Sequence, residues 1–137
     1  DFVLVEDLAL SLNKQLTWSS DLKLSRTSFN LSITSLSRKN LNTSIEDEDK
    51  QASFTMTRKV SGKSNIQLKL EYNDNHRALE QDNERQDRYR RYSIEYDKSL
   101  SSRLTIKLGV SHLNRSSTSR SLNYDEDRIY LKFSKGF

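Results

Sequence analysis

From Gln51 onward, apolar residues return at every second position. Ala52, Phe54, Met56 and Val60 are followed by Ile66, Leu68, Leu70 and Tyr72, then Tyr92, Ile94 and Tyr96, then Leu104, Ile106, Leu108 and Val110, with polar residues between them. Period two over such lengths predicts β-strands with one face in an apolar medium and the other in a polar one. The last strand, Arg128 to Phe137, repeats the pattern on odd positions, which a parity change in the preceding loop permits. Upstream, Leu8, Leu10 and Leu12 read as a first strand. Leu16, Trp18, Leu22 and Leu24 read as a second that slips in parity to Phe29, Leu31 and Ile33, as a bulge or an extension beyond the apolar zone would produce. The expectation is one all-β unit over residues 1–137, an antiparallel up-and-down arrangement of about seven or eight strands.

Two kinds of punctuation alternate between these strands. Short turns are expected at Asn13-Lys14-Gln15, at Ser61-Gly62-Lys63-Ser64 and at Ser99-Leu100-Ser101-Ser102, and long loops at about 37–47, 77–87 and 114–124. Clusters that run from acidic to basic recur at the exits of the long loops: Glu46-Asp47-Glu48-Asp49-Lys50, Glu84-Arg85-Gln86-Asp87-Arg88 and Asp125-Glu126-Asp127-Arg128. Their spacing, roughly 40 residues, is that of two strands with one turn and one loop.

The closing strand, with Ile129, Leu131 and Phe133 in alternation and a terminal Phe137, resembles that of a bacterial outer-membrane β-barrel, whose final strand carries the signal read by the assembly machinery. Lys135 departs from that pattern, standing where the family usually has an apolar or aromatic residue. Short turns on one side and long loops on the other fit the same class. Tyr124-Asp125-Glu126-Asp127-Arg128 and the stretch from Leu100 to Ser111 are similar to the hairpins of β-barrel porins encoded with exopolysaccharide export systems. The resemblance implies a transmembrane β-barrel in the bacterial outer membrane that passes a hydrophilic substrate, with polysaccharide export as the candidate role. It implies as partners outer-membrane lipid, lipopolysaccharide, the barrel-assembly machinery, and other barrel segments or protomers. A single-chain bacterial barrel closes with an even number of strands, so an odd count of seven points to the C-terminal part of a larger barrel, with an unrecognised eighth strand or a barrel shared by several chains as the other readings.

Composition narrows the alternatives. A mean hydropathy of −0.86 with 33% hydrophobic and 31% charged residues looks soluble, but a barrel with a polar lumen keeps a low mean. No segment approaches the ~18 consecutive apolar residues of a spanning helix. Cysteine is absent, which removes disulfides and thiolate chemistry, and so is proline, which suits long strands. The net charge of +4 is spread as cations interleaved with acids, so no nucleic-acid surface is expected. The opening Asp1 to Asp7 has neither the basic start nor the apolar core of a signal peptide, and reads as a mature chain or a fragment. His76 and His112 stand without ligand spacing, and the serines without a nucleophile elbow. No enzyme activity, metal or cofactor is expected.

Parity assigns the faces. Leu22, Leu24, Phe54, Met56, Leu68, Leu70, Ile94, Ile106, Leu108, Ile129, Leu131, Phe133 and Phe137 are expected on the lipid side. Lys23, Lys69, Glu71, Glu95, Asp97, Arg103, Lys107 and Lys132 are expected to line the lumen, either as a ladder of ion pairs that fills it or as a hydrated wall, with cross-strand pairs among Lys69, Glu71 and Glu95. Arg58, Lys98 and Lys135 intrude on the lipid parity only near the short-turn end, where long side chains can snorkel. Arg90, Asp74 and His112 do so at the loop end, and Glu6 is the awkward case. Trp18, Tyr96 and Phe137 are expected toward the turn side, and Tyr72 and Tyr92 toward the loops. The competing expectation is a soluble or surface-displayed antiparallel β-sheet module for binding or adhesion, which would bury its apolar parity between two sheets.

Overall fold

The computed structural model describes residues 11–41, 45–78, 84–101 and 104–135. Seven strands follow one another in chain order: β1 (Ser11–Lys23), β2 (Thr27–Asn40), β3 (Glu46–Ser61), β4 (Ser64–Ala78), β5 (Glu84–Ser99), β6 (Leu104–Ser117) and β7 (Tyr124–Lys135). Each pairs antiparallel with its sequence neighbours, giving one up-and-down sheet in the order β1 to β7. β1 and β7 make no contact with each other, so the sheet is open. Among the described residues no hydrophobic side chain is buried and no second layer packs on the sheet.

The register sorts the side chains into two faces. Directly opposed residues of antiparallel neighbours share a face, so the pairs Leu22↔Phe29, Phe29↔Met56, Met56↔Leu68, Leu68↔Ile94, Ile94↔Val110 and Val110↔Ile129 run as one apolar row across all seven strands. Neighbouring rows add Leu31, Phe54, Leu70 and Tyr92 on one side and Ile66, Tyr96, Leu108 and Leu131 on the other. The opposite face at the same depth is almost wholly polar.

The first hairpin corrects the expected boundaries. Asn13, Lys14 and Gln15 lie inside β1, and the parity slip before Phe29 is itself a tight turn at Leu24-Ser25-Arg26, closed by Leu24 N–H donating to the Thr27 carbonyl at 2.8 Å. A three-residue connection with Lys23 opposite Ser28 moves the apolar positions from even to odd without any bulge. The irregularity in the ladder lies elsewhere, between Lys59 and Ser61 on β3. The turns at 62–63 and after Ser99 fall where expected. The long loops do not: β2 continues to Asn40, β4 to Ala78 and β6 to Ser117, so much of each expected loop is strand. Strands of up to 16 residues exceed the ~9–11 that cross a bilayer.

Candidate functional site

Above and below the apolar rows both faces carry polar and charged residues, but at their depth the polar face is the distinctive surface. It has two parts. Across β1 to β3 it is mostly uncharged, with Thr17, Ser19, Ser32, Thr34, Ser53 and Thr55 among its positions, and its charges at this depth are Lys23 and Asp21, which accepts from Asn30 at 2.8 Å. Across β4 to β7 it is a lattice of charges. Lys69 Nζ meets Glu71 at 2.7 Å, and Glu71 also meets Arg91 at 3.5 Å. Lys107 Nζ sits 2.8 Å from Glu95 and 3.9 Å from Asp97. The Tyr130 hydroxyl donates to Glu95, and Lys132 Nζ stands 4.8 Å above the Tyr130 ring. Asn65 donates to Asp97 at 3.2 Å, a further tie between neighbouring strands.

Tyr130 can reach Glu95, two strands away, because Gly109 stands between them. Gly109 opposes Tyr130 on one side and Glu95 on the other, and a Cβ there would run into the phenol ring. The missing side chain is the channel through which the tyrosine crosses β6. Toward the loop end a second cluster forms on the same face. Asp87 is 8% exposed and is gripped by Arg85 at 2.9 Å and Arg115 at 3.4 Å, while the Arg115 guanidinium lies 5.0 Å from the Tyr89 ring centre and 5.9 Å from that of Tyr124.

Exposure is distributed opposite to that of a water-soluble sheet. Ile129, Phe133 and Leu16 are 76%, 65% and 73% exposed, while the side chains of Glu95 and Arg115 are only 21% and 17% exposed. Among the clefts on the polar face, two lie across its inner strands. One, of about 480 Å³, is edged by Ser32 of β2 and Leu113 of β6, strands about 19 Å apart at ordinary spacing. The other, of about 380 Å³, lies among Lys69, Arg91, Glu95, Arg128 and Tyr130. A depression bounded by strands so far apart makes the polar face the hollow side of the sheet.

Each residue singled out from the sequence can now be placed. Lys23, Lys69, Glu71, Glu95, Asp97, Lys107 and Lys132 share the polar face, whereas Arg103 lies outside the described residues. Glu95 takes Lys107 as partner rather than Lys69, since the residue opposite Lys69 is Ser93. Leu22, Phe54, Met56, Leu68, Leu70, Ile94, Ile106, Leu108, Ile129, Leu131 and Phe133 share the apolar face. Leu24 belongs to the first turn instead of a strand face, and Phe137 and Glu6 lie outside the described residues. Trp18 shares a row with Ile33, Ala52 and Tyr72 at the loop edge of the apolar rows, not at the turn edge.

The polar-face residues Arg91, Arg115, Asp87, Tyr89 and Tyr130 were readable only through parity. The run Arg88 to Tyr92 splits between faces, with Tyr89 and Arg91 on one and Arg88, Arg90 and Tyr92 on the other. His76 and His112 stand at the loop end, beside Glu84 at 3.3 Å and Asp127 at 2.8 Å. No protein-family model matches this chain, and no curated protein or solved structure matches it.

Proposed function

We propose that this chain forms part of an antiparallel β-barrel of the bacterial outer membrane, with its apolar rows in lipid and its polar face lining a hydrated passage for a hydrophilic substrate. The observation that carries this reading is the inverted exposure: large aliphatic and aromatic side chains point outward, unpacked, from the sheet, while charged side chains pair in its hollow. In water so many exposed large hydrophobic residues on one unpacked sheet and its turns would drive aggregation. In a bilayer the same residues face hydrocarbon and the ion pairs face water. The resemblance to porins of exopolysaccharide export makes a polysaccharide the candidate substrate, and the wall of β1 to β3, mostly hydroxyls and amides beside Asp21 and Lys23, suits a polyhydroxylated chain.

The test is refolding from urea into phosphatidylcholine vesicles whose acyl chains carry bromine. Trp18, the only tryptophan, lies at an edge of the apolar rows, so its fluorescence should be quenched as the strands become protected from protease. A monodisperse monomer in detergent-free buffer, with Trp18 unaffected by the vesicles, ends this reading.

A further inference from the structure

We propose that the turn-side rim of the sheet is a contact surface for anionic phospholipid headgroups, an inference that rests on the membrane reading above. The two rims treat their charges differently. At the loop rim acids stand among the outward-facing cations: Glu48 meets Lys50 at 2.7 Å and Asp74 meets Arg88 at 3.5 Å, Glu84 and Asp127 share the same face, and among the described residues Lys14, Lys39 and Arg90 enter no ion pair. At the turn rim the described outward-facing charges are cations alone. Arg58 on β3 stands opposite Ile66 in the last of the apolar rows, and Lys98 on β5 stands opposite Ile106 one position further out.

The turns bring two more cations to the same edge, Arg26 and Lys63. Both turns are fastened to a neighbouring strand: Lys59 N–H donates to the Arg26 carbonyl and Ser99 N–H to the Lys63 carbonyl, each at 2.8 Å. Among the described residues, Arg26, Arg58, Lys63 and Lys98 are exposed and enter no ion pair, and no acidic residue occupies a turn or an apolar-face position at this rim.

A second observation identifies the partner as lipid rather than an acidic protein or a free anion. Leu24, Val60 and Leu100 sit among these cations and are 58%, 50% and 48% exposed. Cations and bare aliphatic side chains intermixed on one edge, continuous with an apolar surface, match the boundary where phosphates meet acyl chains. Long Lys and Arg stems can lie along the hydrocarbon while their heads reach the phosphate.

The experiment compares refolding into vesicles of phosphatidylcholine alone with vesicles containing about 30% phosphatidylglycerol. At low salt the anionic vesicles should take up the protein about tenfold more strongly, and the preference should fade near 0.5 M salt as screening sets in. The variant Arg26→Gln/Arg58→Gln/Lys63→Gln/Lys98→Gln should lose the preference while still inserting into phosphatidylcholine. Lys50→Gln/Arg88→Gln, at the opposite rim, should keep it. Equal uptake by both vesicles, or an equal loss in the loop-rim variant, overturns the headgroup contact and leaves the membrane reading standing. Binding to anionic vesicles without protease protection keeps the contact and overturns the spanning reading. Failure to bind either vesicle overturns both.

Discussion

At the scale of single residues, the tightest fit in the structure joins Gly109, Tyr130 and Glu95. Ordinarily glycine weakens a strand interior because it adds chain entropy and packs nothing. Here its bare backbone lets one phenol cross a strand and hydrogen-bond a carboxylate that Lys107 also holds. Gly109→Ala should therefore cost about 1–3 kcal/mol, the usual penalty for forcing atoms into an occupied space, even though alanine suits a strand better than glycine. Tyr130→Phe removes only the hydroxyl and should cost about 1 kcal/mol, since Glu95 retains Lys107 and some water. In the double variant Gly109→Ala/Tyr130→Ala the clash is gone, so its stability should exceed the sum expected from the single changes. Urea unfolding of micelle-bound protein, followed by circular dichroism, measures all three. A Gly109→Ala protein as stable as the parent would show that Tyr130 does not occupy this channel.

At the scale of strands, the opposed faces make substitutions at neighbouring positions diverge. Leu68 and Leu108 lie near the middle of the apolar rows on β4 and β6, so Leu68→Arg or Leu108→Arg should impair insertion by roughly 2–4 kcal/mol, the midplane cost of a cation. Lys69→Gln and Lys107→Gln, one position away in the chain, should leave insertion intact and change only conductance in a planar bilayer. Tolerated arginines together with insertion lost in the glutamine variants would mean that the faces are inverted.

Strand identity was legible wherever the two faces differ, from Ala52 through Phe133, because there alternation records the contrast between environments. It failed past the apolar rows, where Glu46–Lys50, Asp74–Ala78 and Tyr124–Arg128 are strand with charged residues on both faces. With no contrast, period two has nothing to mark. The first hairpin was hidden for another reason. Leu24-Ser25-Arg26 contains no glycine, proline or asparagine, and Leu24 carries the even parity of β1 straight into the turn. The three repeated charge clusters acquire a structural meaning: they open β3, β5 and β7, which all run from the loop rim to the turn rim. Of the site, the charged positions followed from parity, but the Gly109 channel and the choice of Lys107 over Lys69 for Glu95 depend on register, which alternation does not specify.

For the whole molecule, the apolar rows contain a slant that bears on how the sheet stands in a membrane. On β1 the apolar residues Leu16, Trp18 and Leu22 are centred nearer the loop rim, whereas Ile129, Leu131 and Phe133 on β7 are centred nearer the turn rim, as the chain of opposed pairs shows. The drift is about five residues over the whole sheet, which at ~3.3 Å per residue and ~4.8 Å between strands corresponds to a tilt of roughly 30° from the normal of a flat apolar slab. Barrel strands tilt by ~35–45°, so the sequence positions its hydrophobic residues for strands inclined in nearly that way. Polarised infrared dichroism of the protein in oriented bilayers should then give a strand tilt of about 30–40°, and strands lying parallel to the membrane plane would contradict it. The same topology limits what can complete the sheet. β1 and β7 both run toward the turn rim, so a second copy beside the first would set β7 against β1 in parallel, and an all-antiparallel closure requires an odd number of further strands. The chain has no cysteine, so introduced pairs report without background. In the variant Ser19→Cys/Arg128→Cys, one thiol on each edge strand, oxidation of the membrane-inserted protein should yield no covalent dimers or ladders. An efficient ladder would show copies meeting edge to edge, and the barrel would then be built from this chain alone with parallel seams.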